Sequence, residues 1–180
     1  MSREAEIRES QLLLAEYERI KDEQKVRIGF RDNLLYVSLA AMAAVVGFTF
    51  SPKGHIGLVL ALPLVAVVLG WAYLVNDQKI SAIGEYVREE LAPRLEMLAG
   101  AQKPVFAWER FHRKDRRRIS RKYLQLIVDL ITFCGSSIVA IVSYFMIGPH
   151  SAALTACALI ELIPVATLGQ QIVVYADLRR

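Results

Sequence analysis

Four stretches of this 180-residue chain contain no Lys, Arg, Asp or Glu: residues 33–52, 54–76, 130–160 and 162–176. They run 20, 23, 31 and 15 residues, against about 20 for one helix crossing a bilayer. A soluble domain spreads its charge along the chain. Here the 22 basic and 18 acidic residues are confined to what remains, and 54% of the chain is hydrophobic. That segregation excludes an ordinary soluble enzyme and a disordered or collagen-like chain. Chemistry-bearing residues are scarce as well. His55, His112 and His150 form no metal-ligand spacing. There is no Walker loop, GxGxxG, HExxH or GxSxG, and Ser136 and Ser137 have no base beside them. No catalytic, cofactor-binding or metal site is expected, and the chain does not read as an enzyme.

What is present predicts an all-α polytopic membrane protein, four transmembrane helices in two hairpins with cytoplasmic helical extensions. The spans are Asn33–Phe50, Ile56–Leu74, Tyr123–Ile147 and Ala153–Tyr175. Ser51-Pro52-Lys53-Gly54 turns the first hairpin, and Gly148-Pro149-His150-Ser151 divides the longest apolar stretch. Bare backbone cannot face lipid, so each span must be helical. Trp71 and Tyr73 suit an aromatic belt at headgroup level. Lys and Arg number seven in residues 1–32, twelve in 76–122 and two after Tyr175, against Lys53 alone in the first turn and none in 148–152. Positive-inside bias puts both termini and the middle segment in the cytoplasm, as in a protein of the bacterial plasma membrane. The expected order is a cytoplasmic amphipathic helix (1–32), a hairpin (33–75), a cytoplasmic helical segment with a polybasic end (76–122), a second hairpin (123–176) and a short tail (177–180). No cleavable signal peptide is expected ahead of the first apolar run. In a hairpin turning near residue 150, Cys134 and Cys157 differ by roughly nine residues of depth, about 14 Å. That exceeds the reach of about 7 Å between bridged Cα atoms, so both read as small packing residues.

The cytoplasmic segments carry three patterns. Residues 1–32 hold seven basic and eight acidic groups without proline. Leu13, Tyr17, Ile20 and Gln24 recur at 3–4 spacing, either a weak stripe on a solvated helix or the seam of a self-associating coiled coil. Ile80, Ile83, Val87 and Leu91 mark one face of a second helix that Pro93 breaks or kinks. Arg110, Arg113, Lys114, Arg116, Arg117, Arg118, Arg121 and Lys122 stand against Asp115 alone. With Phe106, Trp108, Phe111 and Tyr123 beside them, they suit anionic inner-leaflet lipid, at about 1 kcal/mol per basic residue, or an anionic messenger. An internal echo pairs Tyr17-Glu18-Arg19-Ile20 with Trp108-Glu109-Arg110-Phe111, as if a charged helix and hairpin were repeated.

Polar groups inside the spans are the remaining candidates. Glu161 lies mid-span, three residues before Pro164. A charge there costs about 2.5–3.5 kcal/mol on insertion scales, so it should face protein or water. Depth matching brings it level with Ser136, Ser137 and Ser143, either as a neutral acid bonded to a serine or as the lining of a cation or proton path. Asp129 matches the depth of Gln170 and Gln171, and the same scale adds Asn33 and Asn76 to a polar layer at the inner mouth.

The IxxIGxYV run at Ile80–Val87 and WERFHRKDRRR before the third span resemble small four-span bacterial membrane proteins of mostly unassigned function. More loosely, the chain is similar to transmembrane effectors of bacterial anti-phage defence. That resemblance implies an oligomeric, ion-conducting or membrane-disrupting effector gated by cytosolic helices or a partner. The alternative is a non-conducting anchor or scaffold that recruits a cytosolic partner. The expected partners are anionic lipid, further copies of the chain, and a cytosolic protein or nucleotide-type messenger. An effector predicts polar groups lining the axis of an oligomer. An anchor predicts polar groups sealed within one bundle.

Overall fold

A computed structural model describes residues 3–100, 105–106, 118–149 and 151–176, and every element among them is helical. Helix α1 runs Arg3–Thr49. A 3-10 segment, Ile56–Leu60, leads into α2, Ala61–Tyr86. A π-helical turn, Val87–Leu91, joins it to α3, Ala92–Leu98. Helix α4 is Arg118–Asp129, followed by a π-helical segment, Leu130–Gly135, and by α5, Ser136–Ile147. Helix α6 is Ala152–Tyr175. Four of the resulting stretches, Glu6–Thr49, Ile56–Leu98, Ile119–Ile147 and Ala152–Tyr175, are long and apolar enough to cross a membrane.

Charged and apolar sequence share continuous helices. No proline interrupts α1, so nothing stops the helix where the charged sequence gives way to the apolar run at residue 33. Pro93 does not break its helix. It sits in the first turn of α3, and the wider turn at Val87–Leu91 precedes it. Proline offers no N–H to the carbonyl four residues back and its ring crowds that carbonyl. A π turn is the local adjustment that lets a helix absorb such a misfit.

The chain gathers into two compact units. The charged unit comprises Met1–Arg31 and Asn76–Arg118, the apolar unit Asp32–Val75 and Ile119–Arg180. In the charged unit, Leu13 of α1 is buried with Val87, Leu91 and Leu95, and Tyr17, Ile20, Leu98, Val105 and Phe106 pack against them. The two apolar stripes of the sequence thus cover each other within one chain. Leu13 of the α1 seam is buried in this contact, and Tyr17, Ile20 and Gln24 are half-buried. The reason is complementarity: each stripe is too narrow to be buried alone, and full burial of one Leu or Val brings about 1.5–3 kcal/mol.

The apolar unit holds two buried clusters. One joins Leu34, Tyr73, Leu74, Phe133, Cys134, Val165, Leu168 and Ile172. The other joins Val59, Leu60, Leu62, Ala140, Ile141, Tyr144 and Ala158. Gly70 permits the tightest approach, since a Cβ there would lie 2.9 Å from both Leu168 Cδ2 and Phe133 Cδ1. Both turns are glycine-dependent in the same way. A Cβ on Gly54 would stand 2.1 Å from the Phe48 carbonyl oxygen, and one on Gly148 2.5 Å from that of Tyr144. Ser51 Oγ donates to the Phe48 carbonyl at 2.8 Å, Tyr144 donates its hydroxyl to Pro149 O at 2.9 Å, and Ser151 caps α6 by accepting from Leu154 N.

Candidate functional site

The first feature with chemistry is a polar seam inside the charged unit. The 3–4 spacing of Leu13, Tyr17, Ile20 and Gln24 continues as Arg27 and Arg31, and these face the start of the second charged segment. Gln24 Nε2 donates to Ile80 O at 3.1 Å. Asn76 Nδ2 donates to the Arg27 carbonyl at 2.6 Å, and Arg31 Nη1 donates to Asp77 Oδ1 at 2.9 Å. Arg27 is also paired with Glu23 one turn earlier. One turn beyond Ile83, Tyr86 donates its hydroxyl to Glu16 Oε1 at 2.7 Å. That bond, then burial, raises the Tyr86 phenol above its ordinary value of 10.0. Asn76 is a member of this seam, but Asn33 is exposed and takes no part. Arg27, Arg31 and Asp77 were not picked out from the sequence. Extending the 3–4 spacing two steps past Gln24 would have found the two arginines.

In the apolar unit, hydroxyls bond back to carbonyls of their own helices. Ser38 donates to Leu34 O at 2.7 Å, Thr49 to Val45 O at 2.8 Å, Ser137 to Phe133 O at 2.7 Å and Thr167 to Ile163 O at 2.9 Å. Ser136 does the same to Thr132 O. Ser38 and Ser137 are fully buried. Glu161 therefore bonds to none of the three serines that depth matching placed beside it, because Ser136 and Ser137 spend their single protons on carbonyls one turn back. Ser143 is half-buried. Glu161 lies on the inward stripe of α6 with Ala158, Val165 and Leu168, spaced three and four residues from its neighbours. Its Oε1 accepts from Cys157 Sγ at 3.6 Å on the same helix, while Oε2 is shielded and has no partner. Pro164 leaves the Ile160 carbonyl without its usual N–H one turn on.

Asp129 and Gln171 are half-buried and Gln170 is exposed. Cys134 is buried with its thiol 3.9 Å from Val165 O, whereas Cys157 is exposed; both are free. Cys134 packs as expected and Cys157 does not. Of the basic candidates, Arg110, Arg113, Lys114, Arg116 and Arg117 lie outside the described residues, as does the second half of the internal echo at 108–111. Arg118 opens α4, Arg121 is exposed and Lys122 half-buried.

The outward surface of the apolar unit is itself a feature. Leu64, Val68, Ile131, Val139, Ile160 and Ile163 are each 59–69% exposed. Exposed apolar surface on this scale is matched to hydrocarbon or to another apolar face, not to water. Tyr36, Trp71, Tyr123 and Tyr175 are 45–69% exposed, each at the charge-adjacent end of its apolar stretch. The opposite ends expose Phe48, Phe50 and Met146 instead. Tyr73 is not one of the exposed rings: it is buried, tilted against Phe133 at 5.5 Å, and its hydroxyl accepts from Gln125 Nε2 at 3.4 Å. It projects from α2 into the core, two residues from the outward Trp71. Among the described residues no three His, Cys, Asp or Glu side chains gather as a metal site would need. Compared with protein families, curated proteins and solved structures, the chain matches none.

Proposed function

We propose that this protein is a membrane anchor of the bacterial plasma membrane that does not itself conduct ions, and that its charged unit serves as the cytoplasmic recruiting platform. The observation that supports the reading is the closure of hydroxyls onto their own helices. Five hydroxyls of the apolar unit are bonded to carbonyls of their own helices, while large apolar side chains face outward. A path for ions needs a continuous polar face that copies could turn toward a shared axis, whereas the exposed Thr167 and Gln170 share their face of α6 with exposed Ile160, Ile163 and Val174. The four aromatic rings at the charged ends fit a headgroup boundary on one side, where amphipathic rings are favoured. The count of Lys and Arg supports both termini and residues 76–122 on the cytoplasmic side.

A second reading is favoured by one observation, the unpartnered Oε2 of Glu161. An unsatisfied carboxyl oxygen at the depth of a membrane is a functional candidate by default. In an oligomeric effector, of the kind used in anti-phage defence, that oxygen would meet a cation or proton. Reconstitution separates the two. Purified protein in liposomes should leave an imposed K⁺ or proton gradient intact, with wild type and Glu161→Gln indistinguishable from empty vesicles. Flux that depends on Glu161 would replace the anchor with the effector. Reporter fusions test the orientation: tags after Arg180 or near Lys103 should be cytoplasmic, and tags near Gly54 external.

A further inference from the structure

The chain's return after α3 is held more firmly than a surface connection requires. Gly100 ends the helix at φ 56°, a conformation glycine adopts without a Cβ penalty. Five residues later Val105 donates its N–H to Glu96 Oε1 at 3.0 Å. Phe106 lays its ring on Tyr17, centroids 3.9 Å apart and planes within 9°. Lys21 Nζ stands 6.0 Å from the Tyr17 centroid. Val105 and Phe106 both pack against the cluster of Leu13, Val87, Leu91 and Leu95.

Phe106 nevertheless stands at φ 55°, the sole non-glycine residue with positive φ among those described. For a bulky side chain this is a genuine outlier. Such strain persists only where the surroundings over-determine it, and it recurs at switch regions. Glycine would be the ordinary choice at this conformation. The ring is what glycine lacks, and the ring makes the stack on Tyr17. The position thus sets a backbone penalty against a side-chain contact.

We infer that Val105–Phe106 is a strained latch on the charged unit. The Phe106–Tyr17 stack and the Val105–Glu96 bond hold it against the cluster of Leu13, Val87, Leu91 and Leu95. Release relaxes the Phe106 backbone and bares the Tyr17 ring. A partner that takes the Tyr17 face competes directly with Phe106. The inference concerns packing within the charged unit and stands whether the apolar unit conducts or only anchors.

Hydrogen–deuterium exchange at the Val105 amide, read on the full-length protein in detergent or nanodiscs, reports the open population. Phe106→Tyr keeps the stack and should exchange as wild type does. Phe106→Gly removes ring and strain together, so the two effects offset and it should exchange more slowly than Phe106→Ala. Phe106→Ala loses the ring but keeps the Cβ penalty at this φ, so it should speed exchange roughly 3- to 10-fold, the scale of a lost aromatic pair. An unstrained loop would give the opposite order, because glycine loses more freedom on closing than alanine. That order, or equal rates in all four proteins, overturns the latch. Tyr17→Ala supplies an independent arm from the other side of the stack: it should speed Val105 exchange as Phe106→Ala does, and an unchanged rate would equally overturn the proposal.

Discussion

The charged and apolar units solve the same problem of polar side chains on helices in opposite ways. In the charged unit the side chains reach across to another segment: Gln24 to Ile80, Asn76 to Arg27, Arg31 to Asp77, Tyr86 to Glu16. In the apolar unit Ser38, Thr49, Ser136, Ser137 and Thr167 fold back onto carbonyls of their own helix. On the anchor reading, which puts the apolar unit in a membrane, water explains the difference. Where water competes, a cross-helix polar contact costs little if it fails, and it fixes register when it forms. Where water is absent, an unpaired hydroxyl costs several kcal/mol on transfer scales, and the carbonyl one turn back is always within reach. Packing between apolar helices then falls to shape, which is why Gly70 sits where Phe133 and Leu168 come closest.

The largest break in that comparison is a steric one. Gly70→Val places side-chain carbon where Leu168 and Phe133 already lie 2.9 Å from a Cβ. It should destabilise the protein by about 3 kcal/mol, the upper end for an overpacked core. Gly47→Val is the control: nothing lies within 4 Å of a Cβ there, so its effect should stay within about 0.5 kcal/mol. Thermal unfolding in one detergent compares the two directly. Equal effects would mean that the apolar unit is not held by shape at Gly70.

Next in size is the seam. Arg31 and Asp77 are 26% and 30% exposed, so solvent screens the pair, and removing either should cost about 0.5–1 kcal/mol. Exchanging them, as Arg31→Asp with Asp77→Arg, should recover much of the loss. A double-mutant cycle in low and high salt measures the coupling, which should shrink as salt rises. Coupling that ignores salt would place the pair out of water's reach and erase the contrast between the units.

Glu161 is the exception within the apolar unit. A serine bond would make Glu161→Leu a loss, but the structure gives its oxygens only Cys157 and no partner. Replacing a shielded, unsatisfied group by an apolar one of similar size is neutral or stabilising. Glu161→Leu should therefore leave assembly unchanged or raise it, and Glu161→Gln should differ from wild type by less than the roughly 0.6–2 kcal/mol of an interhelical bond. A clear loss of assembly with Leu would reveal a partner for Oε2 that only an oligomer supplies.

How much of this was legible beforehand depends on the range of the interaction. The apolar stretches bounded by charge identified the four long helices, because hydrophobic length is local information. The folded chain divides into its two units at 31/32, 75/76 and 118/119. The two stripes, Leu13–Gln24 and Ile80–Leu91, were each visible, but their mutual pairing was not, since spacing tells which face is apolar and not what covers it. Of the break or kink expected at Pro93, the break is absent, because the π turn before it accommodates the proline within a continuous helix. Depth matching placed Glu161 near the serines in height but could not give rotation about the helix axis. Tyr73 failed for the same reason: two residues from Trp71 along a helix is most of the way to the other side. The positive φ of Phe106 left no sequence signal, as that position is one where glycine would be anticipated.

The smallest effect sharpens the contrast in a different way, through pH. Tyr86 donates to the Glu16 carboxylate at 2.7 Å, a bond that exists only while the phenol holds its proton. The hydrogen bond to Glu16 and then burial raise the phenol above 10.0, and Arg94 pulls it back in part. Unfolded, the tyrosine titrates near its ordinary value. A group whose folded value is the higher contributes stability that is fully present below the unfolded value and is lost as pH rises through the folded one. The charged unit should therefore weaken on the alkaline side of pH 10. Tyr86→Phe lacks the bond, so it should be slightly less stable than wild type at pH 8 and show less of this alkaline decline. The two proteins' denaturation curves should converge as the phenol ionises, while the five hydroxyl–carbonyl bonds of the apolar unit, which involve no charged partner, keep their contribution. Wild type and Tyr86→Phe declining in parallel through that range would show that Glu16 does not receive the phenol's proton in solution, and would remove this contact from the seam.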